Sequence, residues 1–211
     1  MLPKDLINLS ENQLIWLTLV LVGAIILVTV VLWMVRYIKN TADDRHIEKI
    51  IKEQSEAYSR DVIISDGIYG YLFVDYLVLL RGKIIALDVQ HLKGYIFGAD
   101  QIEQWAQVVD NKSHKFKNPL YRVRLMVQQV NQLVKEADIE ARVLFGAQSS
   151  FPKGVPDGVL RMDTFRGELN NLAKNDYMHE SMSKIWEELL DIAKEHKMRY
   201  NLESQEVKLA K

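Results

Sequence analysis

Two aspartates, Asp75 and Asp88, stand on either side of a short turn between two runs of apolar residues. The runs Tyr71–Leu80 and Lys83–Leu92 read as strands. Arg81-Gly82 between them reads as a two-residue turn, since Gly supplies the positive φ such turns need. If Leu80 pairs with Lys83, then Leu79 faces Ile84, Leu77 faces Ala86, and Asp75 faces Asp88. Alternation puts Gln90 on the same face, where Phe73, Leu77, Leu79, Ile84 and Ala86 are all apolar. Like charges directly opposed destabilise a sheet. A cation between them removes that cost, and two hard oxygen donors suit Mg²⁺ or Mn²⁺. Asp75 and Asp88 are therefore the candidate metal ligands. The same spacing fits two other arrangements: a hairpin slipped by one residue, with one Asp on the solvent face, and two carboxyls sharing one proton.

Other chemistries are excluded or weakly represented. The chain has no cysteine, which rules out thiol catalysis, cysteine zinc sites, iron–sulfur clusters and disulfides. His46, His91, His114, His179 and His196 show no metal-ligand spacing, and there is no phosphate-binding glycine loop or nucleophile elbow. Net charge is −1, so a polyanion could be held only by a local patch. Lys112, His114, Lys115, Lys117, Arg122 and Arg124 form such a patch. It reads as a grip on phosphates, as a contact with anionic lipid, or as a solvated loop and helix start.

The elements that position these residues follow from apolar patterning. No residue from Leu14 to Val35 is charged, and Trp16 and Trp33 sit near the two ends of that run. At about 1.5 Å per residue it spans a hydrocarbon core of about 30 Å. It is too long for a signal peptide and no small-residue cleavage site follows it. Lys4 alone is basic before the run, whereas Arg36, Lys39, Arg45, Lys49 and Lys52 follow it, which places the C-terminal side in the cytoplasm. Residues 1–12 form a short tail and 13–37 the transmembrane helix. Thr41, with Asp44 three residues on, reads as the start of a new helix running to about Ala57. Strands are expected at Asp61–Ser65, Tyr71–Leu80, Lys83–Leu92, Tyr95–Phe97, Ala141–Phe145 and Val159–Met162. Asp110–Lys117 reads as a polar loop, and Asn118-Pro119 opens a helix to about Glu136. A last amphipathic helix is expected over His179–Tyr200.

At these residues the sequence resembles the nuclease-related domain (NERD) family of the PD-(D/E)XK nuclease-like superfamily. The resemblance rests on Phe73-Val74-Asp75-Tyr76-Leu77-Val78, on Ile84-Ile85-Ala86-Leu87-Asp88-Val89-Gln90, and on Gly94-Tyr95-Ile96-Phe97-Gly98. Trp105, Phe116-Lys117-Asn118-Pro119-Leu120 and Arg142-Val143-Leu144-Phe145 follow in order. It covers about residues 45–170 and implies a central mixed sheet with helices on both faces. The chemistry it implies is Mg²⁺-dependent phosphodiester hydrolysis. Two departures stand out. The family's lysine after the second acid is Gln90, which can hydrogen-bond a water but carries no charge. The family's glutamine on the following helix is Arg122. Amide and cation therefore look exchanged between strand and helix, which would bring the Arg122 guanidinium to Gln90 or the two carboxylates. The family also places a Glu on the first helix, for which Glu48 is the candidate.

The expected architecture is an α/β fold: an N-terminal transmembrane helix, then an αβββαβ domain over 41–175, then a C-terminal amphipathic helix over 176–203. The expected function is that of a nuclease-related domain anchored in the inner membrane with its soluble part cytoplasmic. It would hydrolyse DNA or RNA with Mg²⁺ or Mn²⁺, using Asp75, Asp88, Gln90, Arg122 and Glu48. The alternative is a catalytically degenerate nuclease-like fold that binds or scaffolds at the membrane, with a protein partner on the C-terminal helix.

Overall fold

The computed structural model describes residues 11–68, 70–134, 139–173 and 180–209. By packing, the chain divides into two units, Met1–Arg45 and His46–Lys211. Helix α1 (Glu11–Gln54) runs through the position expected for a new helix start at Thr41 without a break. No new helix therefore begins at Thr41. Within α1, Ile15–Val35 is long and apolar enough to cross a membrane, and none of it is buried. Trp33 stacks on Tyr37 with ring centroids 5.8 Å apart.

The second unit is built on a five-stranded mixed sheet. Strands β1 (Ala57–Ser65), β2 (Tyr71–Leu80) and β3 (Lys83–Gln90) are antiparallel neighbours. Beyond β3 lie β7 (Ile139–Phe145) and β9 (Val159–Arg161), each parallel to its neighbour. The order is β1-β2-β3-β7-β9. Between β3 and β7 the chain makes β4 (Gly94–Phe97), β5 (Gln104–Val109) and β6 (Lys112–Lys117), then helix α2 (Pro119–Leu133). With the short β8 (Ser149–Ser150) these form a second sheet, β6-β5-β4-β8. Helices α3 (Phe165–Leu172) and α4 (Glu180–Leu209) complete the chain.

Each face of the central sheet has its own core. Leu77, Leu79, Ile84 and Ala86 pack with Leu120, Val123, Met126 and Val130 of α2 and with Trp186 and Leu189 of α4. On the other face Val78, Leu80, Ile85 and Leu87 pack with Ile47, Ile50 and Ile51 of α1 and with Phe165 of α3. The αβββαβ order therefore holds, with the small sheet inserted.

Several expectations are corrected. Asp110–Lys117 is not a loop: Asp110 and Asn111 make the turn, both with positive φ (50° and 59°), and Lys112–Lys117 is the edge strand β6. Helix α2 ends at Leu133, with Val134 already extended, short of Glu136. Strands β5 and β8 and helix α3 are additional elements, and α4 reaches Leu209. The N-terminal tail through Ser10 and the expected helix start at His179 lie outside the described residues.

Candidate functional site

The hairpin has the register that the apolar alternation dictates. Leu80 pairs with Lys83, Leu79 with Ile84 and Leu77 with Ala86, and the ladder continues to Tyr76 with Leu87. Gly82 takes the positive φ of the turn (82°). Asp75 and Asp88 come one step beyond the last pair, where the ladder stops. There the Asp75 carboxylate accepts the Val89 backbone N–H at 2.6 Å. A backbone N–H lies in the plane of its sheet, so the Asp75 side chain has turned into the gap between the strands and replaces a ladder bond. Alternation also fails here: Val74, not Phe73, is buried with Leu77 and Leu79, while Phe73 is 44% exposed against Tyr200 of α4. At the same level on β1, Asp61 has φ 51° and makes no pair with Asp75.

Asp88 is 1% exposed. Both its carboxylate oxygens are engaged from within the chain. Gln90 Nε2 donates to Oδ2 at 2.6 Å, and the Arg122 guanidinium donates to Oδ1 in an ion pair. Burial pushes the Asp88 carboxyl up to about 6, against the pull of Arg122 and Gln90, and the Asp75 charge adds to the rise. Strand and helix residues far apart in sequence thus meet at one carboxylate.

Arg122 is placed by the start of α2. Asn118, 2% exposed, caps the helix with Oδ1 accepting from Leu120 N–H at 2.9 Å. Its Nδ2 donates to the carbonyls of Asp100 (3.1 Å) and Ile102 (2.9 Å), and its own N–H to that of Glu103 (2.9 Å). Pro119 follows at the first turn, where its missing N–H costs nothing. The Asn-Pro-Leu step therefore pins the helix to the loop before β5 and fixes where Arg122 emerges. Other parts of the motif are also structural. Trp105 is 1% exposed, donates its indole N–H to Ala99 O at 3.0 Å, and is a core residue. A Cβ on Gly98 would stand 2.1 Å from the Trp105 ring, and one on Gly94 2.4 Å from Val108 O. Neither position accepts a larger residue.

Glu48 lies elsewhere. It is on α1, which packs against the opposite face of the sheet from α2. Its carboxylate accepts from Tyr58 Oη (2.8 Å) and Arg60 Nη1 (2.8 Å) and pairs with Lys52 (3.0 Å). Its bond with Lys52, helped by Tyr58 and Arg60, holds its carboxyl below the usual range. The structure brings together Asp75, Asp88, Gln90 and Arg122, and leaves Glu48 apart. In the basic cluster, Arg124 pairs with Asp100 and Arg122 with Asp88, while Lys112, His114, Lys115 and Lys117 are exposed on β6.

A cleft of about 730 Å³ opens in front of this cluster. Gln90 and Arg122 form part of its wall, with Lys117, Leu72, Phe116 and Leu125. Asp88 sits behind the two residues that bond it. A divalent ion fits poorly in this arrangement. Each oxygen of Asp88 already accepts a bond, one oxygen of Asp75 accepts from the backbone, and a cation is already paired with Asp88. Among the described residues no group of three or more His, Asp or Glu gathers as a metal site. What the site offers the cleft is a half-exposed guanidinium with donors to spare, suited to phosphate or carboxylate oxygens.

The architecture is a mixed sheet with helices on both faces, carrying two acids on its central hairpin and Gln90 two places after the second. The family model of the nuclease-related domain matches residues 39–146, and the chain belongs to that family, within the PD-(D/E)XK-like superfamily. No curated protein and no solved structure gives a significant match.

Proposed function

We propose that this chain is a membrane-tethered nuclease-related domain whose former catalytic site has become a binding site. The observation that supports this reading is the closed state of Asp88: it is buried, bonded by Gln90 and ion-paired with Arg122. A hydrolase of this type needs an open carboxylate pair and a charge beside the scissile phosphate. Here the strand lysine is Gln90, and the cation that replaces it is spent on the acid. The adjoining cleft has Arg122 and Lys117 against one acid, Glu103, on its wall; the two cations suit a phosphate-bearing ligand, and family membership favours DNA or RNA. Ile15–Val35 would hold the domain at the inner membrane, with the basic residues after it keeping the domain cytoplasmic.

A second reading, Mg²⁺- or Mn²⁺-dependent hydrolysis, is favoured by the adjacency of Asp75 and Asp88 behind the cleft wall. One experiment separates the two. The full-length chain in detergent micelles is incubated with labelled DNA and RNA and either metal. The binding-module reading expects retention of the nucleic acid without cleavage, and weaker retention in Arg122→Ala. Metal-dependent cleavage that Asp88→Asn abolishes would establish the hydrolase instead.

A further inference from the structure

We infer that Arg122 is the resident cation of the Asp75–Asp88 pair: its guanidinium holds the place a divalent ion would take and closes the site to metal. The inference rests on the binding-module reading but is tested by metal binding rather than by cleavage.

Two ionised carboxylates on neighbouring strands repel each other, and a positive charge beside them relieves that cost. Gln90 brings none. Arg122 is the cation that touches Asp88, and it does so from a position that is otherwise poor for it. It stands in the first turn of α2, where the helix dipole disfavours positive charge and where no acidic side chain offsets it. The partner that holds it there is Asp88 on the sheet beneath. An ion arriving from solution competes with a guanidinium tethered next to its ligand, so the internal cation has the advantage of a high effective concentration. An ion that entered with Arg122 in place would meet a like charge across a carboxylate that is 1% exposed. Asp75 is a weakened ligand, because its Oδ2 already accepts from the Val89 N–H in place of a ladder bond. The Arg122 side chain is itself 47% exposed at the cleft, so its removal leaves room for a hydrated ion rather than a collapsed core.

The inference makes the metal site latent rather than lost, one charge away from being restored. The test is a Mn²⁺ titration of the full-length chain in detergent micelles, followed by calorimetry and by the loss of the free-ion paramagnetic resonance signal. Wild type is expected to bind Mn²⁺ only weakly, without saturating, which sets an upper limit on its affinity. Arg122→Gln, which keeps hydrogen-bond donors, and Arg122→Ala are expected to bind one Mn²⁺ with affinity raised about tenfold or more over wild type. Adding Asp88→Asn to either should remove the gain. Circular dichroism checks that each variant is folded, and the two variants guard against one failing. Saturable Mn²⁺ binding by wild type that Asp88→Asn abolishes would overturn the inference. So would two folded Arg122 variants that bind no better than wild type. Wild-type binding without cleavage would sink the resident-cation inference alone, whereas cleavage would sink the binding-module reading.

Discussion

Strand β3 carries an ion cluster at each end, and the two are built on opposite charge balances. At the start of the strand Lys83, 7% exposed, pairs with Glu140 on β7, and Arg142 pairs with the same carboxylate. Partial burial works against ionisation of Glu140, but Lys83 and Arg142 together hold its carboxyl below the usual range. At the far end two neighbouring carboxylates have one guanidinium beside them, paired with Asp88, and burial pushes Asp88 up to about 6. Two cations for one acid make a satisfied structural cluster. Two acids for one cation leave a charge deficit, which the fold tolerates beside a cleft. Perturbed carboxyls of this second kind cluster at functional sites, whereas in the first kind losing the acid would leave a buried cation unpaired.

The largest expected effect tests the structural end. Glu140→Ala leaves Lys83 buried without its partner and should cost about 3 kcal/mol of unfolding free energy, read by chemical denaturation. A loss below 1 kcal/mol would mean that the Lys83 cluster is not the anchor described here. At the other end the sign reverses. Folded Asp88 holds its proton more tightly than the unfolded chain does. Its contribution to stability is therefore complete below about pH 4 and is lost as pH rises through about 6. Asp88→Asn should then match wild type near pH 4 and exceed it by on the order of 2 kcal/mol at pH 8, a gain typical of sites that trade stability for function. A destabilised variant at pH 8 would put Asp88 in the same class as Glu140. The smallest effect is expected at Glu48, whose partners Lys52 and Arg60 are largely exposed. Glu48→Gln should cost less than about 1 kcal/mol and leave nucleic-acid retention unchanged. A loss of retention in that variant would connect the two faces of the sheet, which the structure keeps apart.

The central hairpin was legible because one of its faces is continuously apolar and its turn has only two residues. Those two facts fix the register of Leu77, Leu79, Ile84 and Ala86. What lies past Tyr76 was not legible, because alternation says which residues face each other and not where the strands part. The bond from Val89 N–H to Asp75 and the burial of Val74 in place of Phe73 both follow from that parting. Strand β6 was missed because Lys112–Lys117 exposes nearly every side chain, so no period-two apolar signal exists. The usable signal was Asp110-Asn111, two residue types that tolerate positive φ. Helix α3 is too short, with Phe165 and Leu169 as its buried residues, to stand out from the flanking loops. Arg122 could be paired with Asp88 in advance only by noticing two departures from one family pattern, the amide on the strand and the cation on the helix. Nothing in the local sequence of α2 marks it.

The measurement closest to the central claim is a crystal of the wild-type chain grown with Mn²⁺ and examined by anomalous scattering. No anomalous peak is expected between Asp75 and Asp88, with the Arg122 guanidinium paired with Asp88. A Mn²⁺ peak bound by both carboxylates, with Arg122 swung out into the cleft, would contradict it.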